Sequence, residues 1–218
     1  MLNKFDFSNL SGVDRISGRI AELRQSLSSA DPALLAANTA SLWHPLDEAG
    51  GYFQLPLWRQ PVQVSFPAWT GIKGASGQPL SPVDLALLLY YFKTADGFTL
   101  SDRWISFADL PDGRFYNQAF QGYTGNALAQ AFNHDLPAFE RLAPGLGGER
   151  AELGDASFIF QALPRVPLCV VFWQGDEDFP DSAQVLFDAS ASHYLTTDSF
   201  AILGSAITRR LIAAKNPK

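Results

Sequence analysis

Leu168-Cys169-Val170-Val171-Phe172-Trp173 is followed by Gln174-Gly175-Asp176-Glu177-Asp178-Phe179-Pro180-Asp181-Ser182 and then by Ala183-Gln184-Val185-Leu186-Phe187. The first run is apolar without a break and has the length of a strand, so it reads as a strand buried on both faces. The third segment is a further strand. The linking residues QGDEDFPDS are polar and acidic, and an antiparallel hairpin with a long acidic loop is the simplest arrangement they allow. One strand earlier, residues 157–163 (SFIFQAL) are also strand-like. After the hairpin, Thr197 with Asp198 behind it caps a helix running to about Ala214, in which Phe200, Leu203, Ile207 and Leu211 recur every three or four residues.

Working back from there, residues 144–154 (PGLGGERAELG) read as a surface loop, the one candidate boundary in what is otherwise expected to be a single domain over 1–218. Its glycines follow no strand with phosphate-cradle spacing, so they make no nucleotide motif. Asp135-Leu136-Pro137 opens a short helix, and residues from Arg114 through Phe132 are helical with a break at Gly125. Leu110-Pro111-Asp112-Gly113 is a turn by its chemistry. Residues 98–107 read as a strand or hairpin arm with Trp104, Ile105 and Phe107 partly buried.

The clearest helix spans about 82–95. Ser81 caps it, Pro82 takes its first position, Asp84 completes a capping box and Gly97 stands past its end. Its body is apolar almost all round, which predicts a fully buried central helix. Residues 71–79 (GIKGASGQP) are a loop. Tyr52-Phe53-Gln54-Leu55 and Pro61-Val62-Gln63-Val64-Ser65-Phe66 alternate with period two and form strands joined by a turn at Trp58-Arg59-Gln60. Pro56 and Pro61 place them at an edge or make them short. Asp31-Pro32 starts a short helix ending near Thr39. Val13, Ile16, Ile20, Leu23 and Leu27 give the first helix one apolar face. Helices and hairpins mixed without regular strand–helix alternation make the fold class α+β: a mostly antiparallel sheet built from hairpins and packed against several helices.

Composition narrows the function. With 218 residues, 47% of them hydrophobic, the chain buries a core without a disulfide or metal staple. A formal net charge of −6 with no Lys/Arg run excludes the electrostatic footprint of a nucleic-acid binder. The single Cys169 excludes an internal disulfide, a Cys-based zinc site and a self-contained iron–sulfur cluster, and its apolar neighbours predict an inert buried thiol. The longest apolar run, 85–92, is far short of the ~20 residues that span a bilayer. Residues 1–6 lack a leader's apolar core, and the expected location is cytoplasmic.

Candidate chemistry concentrates in the acidic loop. Asp176, Glu177 and Asp178 lie in a row, with Asp181 and Asp188 nearby in sequence. Such a set suits a hard cation, or a general acid–base pair if burial raises one carboxyl, or simply a solvated hairpin tip whose acids cap backbone amides. The spacing is not that of the helix–loop–helix calcium site, and no metal is assigned. Trp173 ends the buried strand where it feeds the loop, a position that often rims a binding site and equally often closes a core. His193 follows Asp188 by five residues and is placed to approach the loop. No His stands at helical metal spacing to another His or Cys. His44 in Leu42-Trp43-His44-Pro45 is an axial-ligand candidate only if a flat apolar slot faces it. Gly74-Ala75-Ser76-Gly77 is no nucleophile elbow, and Cys169 in mid-strand is a poor nucleophile. The ligand-binding candidates are therefore Trp173, Asp176, Glu177, Asp178, Asp188 and His193, with catalytic residues and cofactor unknown.

Leu163-Pro164-Arg165-Val166-Pro167, Phe172-Trp173-Gln174-Gly175-Asp176-Glu177-Asp178-Phe179-Pro180 and Leu186-Phe187-Asp188 together resemble the bacterial and archaeal domain-of-unknown-function family numbered 3786. Leu35-Ala36-Ala37-Asn38-Thr39, Leu88-Leu89-Tyr90-Tyr91, Trp104-Ile105-Ser106-Phe107 and Leu110-Pro111-Asp112-Gly113 resemble its earlier blocks, extending the likeness over about 10–212. The resemblance implies no activity and no catalytic residues. Its members occur mostly among anaerobes, some fused to a cysteine-rich iron–sulfur segment, which implies work near redox or corrinoid metabolism. This chain has one Cys, so any redox link runs through a partner protein. The functional expectation is a small-molecule or cofactor binding or accessory protein. The alternative is a protein–protein interaction module using the acidic loop, and the third is an enzyme with a carboxylate acid–base pair.

Overall fold

The computed structural model describes residues 10–47 and 50–216; residues 1–6, considered above for a leader, and the side chain of Val13 lie outside that description. The chain is α+β with two antiparallel sheets, and it divides into two compact units that meet between Gly97 and Phe98. The boundary considered at 144–154 falls inside the second unit.

In the first unit, α1 (Leu10–Ser26) and α2 (Pro32–Thr39) precede strands β1 (Leu42–Asp47), β2 (Gly50–Leu57), β3 (Gln60–Phe66) and β4 (Gly71–Lys73), and α3 (Pro82–Thr94) ends it. The sheet is a meander in the order β1-β2-β3-β4. Trp58 and Arg59 form the two-residue turn between β2 and β3, both with positive φ, as a primed hairpin turn requires. Pro56 and Pro61 face each other one pair in from that turn, so both strands are long and interior rather than short or at an edge. The prolines are tolerated because their missing amides point away from the β2–β3 ladder, past the points where β1 ends opposite Gln54 and β4 opposite Val62. Residues 71–79 are not all loop: Gly71–Lys73 pairs with β3, and Ile72 bridges Pro79. Strand β1 has no period-two hydrophobic signal because its outer face is solvated, and Pro45 blunts that edge.

On the inner face Phe53 meets Trp43 at 4.8 Å and Phe92 at 4.6 Å, and the buried Trp69 stacks on Phe53. Helix α3 supplies Leu85, Leu88, Leu89 and Phe92 to this core, and α1 packs along α3 with Ile20 and Leu23 buried, as is Leu27 just past its end. Ser81 caps the helix as expected, its Oγ accepting the Asp84 amide, but the Asp84 carboxylate takes the Ser81 hydroxyl rather than the backbone amide that a capping box uses. Full burial of α3 is corrected, however. Val83, Ala86 and Tyr90 are half-buried and Lys93 is exposed, because neighbours cover the helix on some sides only.

The second unit contains β5 (Trp104–Ile105), α4 (Gly113–Tyr123), α5 (Gly125–Ala131), α6 (Leu136–Leu142), β6 (Glu149–Ala151), β7 (Ala156–Leu163), β8 (Val166–Trp173), β9 (Ser182–Asp188) and α7 (Thr197–Lys215). Sheet order is β5-β9-β8-β7-β6, every pair antiparallel. The hairpin expected around the acidic loop is β8–β9, and β8 is the central strand, buried from Val166 to Phe172. The long strand expected over 98–107 reduces to two residues. Phe107, fully buried, belongs to a 3-10 turn at Phe107–Asp109. Likewise 144–154 is not one loop, since Glu149–Ala151 pairs with β7.

Helices cover one face of this sheet. Phe172 meets Phe139 and Phe132 there, while Phe187 meets Phe107, Phe120 and Phe200. Helix α5 can approach β9 because Gly125 has no side chain: a β-carbon there would lie 2.1 Å from the Ala183 carbonyl oxygen. Cys169 is buried in β8, and burial pushes its thiol up to about 12. Iodoacetamide at neutral pH is therefore expected to leave the folded chain unlabelled and to modify it once denatured. Mass spectrometry reads the adduct, and rapid labelling of the native protein would contradict this placement.

Candidate functional site

The acidic loop emerges where β8 ends. Its backbone is held at several points by carboxylates. Asp155, at the start of the neighbouring hairpin arm, accepts the Gln174 amide at 2.7 Å. Asp181 accepts the Gly175 amide at 2.6 Å through Oδ1 and the His134 amide at 2.6 Å through Oδ2. Within the loop, Asp176 Oδ1 accepts the amides of Asp178 and Phe179, both at 2.9 Å, and the Asp176 amide donates to the Phe179 carbonyl. Gly175 is obligatory here because a β-carbon would fall 2.3 Å from that same carbonyl oxygen. The result is a closed tip rather than a loose tether.

What the tip presents is mixed. Asp176, Glu177, Asp178 and Pro180 are exposed, and Phe179 is 71% exposed. Trp173 sits at the rim, 36% exposed, beside the left-handed Gly154, which has no β-carbon to crowd the indole nitrogen. Among the described residues no cation is ion-paired with Asp176, Glu177 or Asp178. Nor, among the described residues, are three His, Cys, Asp or Glu side chains grouped as ligands of one metal ion.

The structure separates the other two candidates from this tip. Asp188 ends β9, six residues beyond Ser182, which puts it about 20 Å away along the strand. It is buried, and its Oδ1 accepts the amide and hydroxyl of both Ser101 and Ser190. Burial pushes its carboxyl up, but the Ser190 hydroxyl, the Ser101 and Ser190 amides and the Ser101 hydroxyl outweigh that and hold it below the ordinary carboxylate range. His193 does not approach the acidic loop. It stacks on Phe98 at 4.0 Å near the Asp188 end, where the Tyr194 hydroxyl donates to the Phe98 carbonyl. Asp188 and its serines thus secure residues 98–103 to the sheet.

His44 stacks on Tyr52 at 4.7 Å across the β1–β2 pair. The acid that organises the tip, Asp181, was legible only as one more carboxylate of the loop. Its partner amide on His134 lies 47 residues away in sequence, and no local pattern marks such a pairing. Burial pushes Asp181 up, yet the Gly175 and His134 amides and the nearby imidazole bring it below the ordinary range. A general acid–base pair calls for a raised carboxyl, which is the opposite of what Asp181 and Asp188 show.

Fold and tip together define an α+β protein with an ordered acidic hairpin loop and no helix, among the described residues, long and apolar enough to cross a membrane. The chain belongs to the family described as Domain of unknown function (DUF3786), whose profile matches residues 35–210. That span includes both sheets and the whole tip. No curated protein and no solved structure matches the chain.

Proposed function

We propose that this chain is an accessory protein that docks to a protein partner through the tip of its β8–β9 hairpin. The observation that carries this reading is Phe179, a large apolar side chain 71% exposed on a backbone tied down by Asp176 and Asp181. Leaving an aromatic in water on an ordered loop gains nothing for folding, whereas aromatic anchors dominate protein interfaces. The surrounding Asp176, Glu177 and Asp178 give the anchor an acidic rim, so the complementary partner has an apolar pocket bordered by Lys or Arg. The small-molecule alternative draws less support, since these side chains face solvent. A cytoplasmic location is part of this proposal. The family resemblance suggests a redox or corrinoid protein as the partner.

A random peptide library displayed on phage and selected on the wild-type protein alone, with the enriched peptides then measured against Phe179→Ala, tests this. Peptides pairing Lys or Arg with aliphatic or aromatic residues are expected. For an enriched peptide, the substitution should weaken binding by about 2 kcal/mol, or about thirtyfold. Added salt should weaken it further by screening the rim. Binders that ignore the substitution, or that carry no basic bias, would refute the proposal.

A further inference from the structure

We infer that Asp181 is the positioning residue of the docking tip, an inference that rests on the proposed function. Its side chain is 2% exposed at the foot of the loop. One carboxylate oxygen takes the Gly175 amide and the other the His134 amide, each at 2.6 Å. The first residues of the loop are thereby joined to the corner between α5 and α6. His134 has a φ of +53°, a left-handed conformation at the corner that carries this amide. The imidazole is the lesser contact, its Nδ1 3.8 Å from Asp181 and its ring mostly exposed.

A carboxylate can serve both amides because each of its oxygens accepts, whereas a carboxamide has one accepting oxygen. Asp181 therefore sets where the loop leaves the sheet, and Asp176 sets the curvature from there to Phe179. Fixing that geometry before contact spares the partner the cost of ordering the tip, which makes Asp181 a determinant of affinity without touching the partner.

The test compares Asp181→Asn, Asp181→Ala and His134→Gly. Amide hydrogen exchange is read by NMR, and affinity is read with a peptide selected on the wild-type protein. Asp181→Asn should raise exchange at Gly175 or His134 at least about tenfold relative to Val170 in the central strand, and lower peptide affinity about tenfold. Asp181→Ala should free both amides. His134→Gly keeps the backbone donor and suits a positive φ, so it should leave loop protection and affinity near wild type. A merely structural aspartate would raise exchange at Gly175 and Val170 alike. That result, an unchanged Gly175 and His134 in a folded Asp181→Asn, or loss of affinity in His134→Gly, would overturn the inference. If instead Phe179→Ala leaves peptide binding intact, the docking proposal falls, and the exchange data still decide whether Asp181 holds the loop.

Discussion

Replacing Asp188 with alanine is expected to destabilise the protein by about 4 kcal/mol, because two backbone amides and two hydroxyls lose a buried charged acceptor. All four donors converge on one oxygen of a side chain that is 3% exposed. The amides of Ser101 and Ser190 cannot reorient, so each is left unpaired away from water, whereas the hydroxyls can rotate. Denaturant unfolding of the variant, followed by Trp fluorescence, measures the loss. A cost under about 1 kcal/mol would show that water or neighbouring groups replace the carboxylate readily.

The same contact predicts a pH dependence. In the folded chain Asp188 and Asp181 are both held below the ordinary carboxylate value, so over that window the unfolded chain binds more protons than the native one. Their stabilising contribution is thus fully present above the unfolded value of about 3.9, and is lost as pH falls through the folded values. Acid unfolding of Asp188→Ala should accordingly be less steep than that of the wild type.

Truncation of Phe172 to alanine is the second large effect, expected at about 3–5 kcal/mol. The ring is fully buried in the central strand, 5.7 Å from the Phe139 ring and 6.4 Å from that of Phe132. Both neighbours are themselves fully buried, Phe132 just past the end of α5 and Phe139 in the middle of α6, and neither helix is expected to sink far into the space left behind. The transfer loss and the residual cavity add. A lowered denaturant midpoint with an unchanged slope would confirm a native-state cavity, and a loss below about 1 kcal/mol would mean that α5 and α6 collapse onto the sheet.

Much of the fold was legible because its signals are local. The unbroken run around Val170, the cap at Ser81 and the three-and-four spacing in α7 each act through neighbours within a turn or two. The family resemblance rested on other short blocks, chiefly Phe172 to Pro180, and family membership holds over residues 35–210. What escaped were elements defined by their partners. Strand β1 carries Leu42 and Leu46 facing water, β4 is three residues long, and β6 lies in a glycine-rich stretch, so none has a period to detect. Each is a strand only because another strand runs beside it.

The candidate site divides along the same line. By itself the sequence determined the β8–β9 hairpin, its acidic loop and Trp173 at the strand end, since an apolar run between turn residues has few other ways to bury itself. Tertiary structure alone decided which acids do what. Register places Asp188 at the far end of β9 from the loop, and a side-chain period of two cannot announce a distance along the strand. Packing of the α5–α6 corner beside β9 brings the His134 amide to Asp181, turning one acid of several into the anchor of the tip. Those pairings join residues far apart in the chain, and only the closed core brings them within hydrogen-bonding reach.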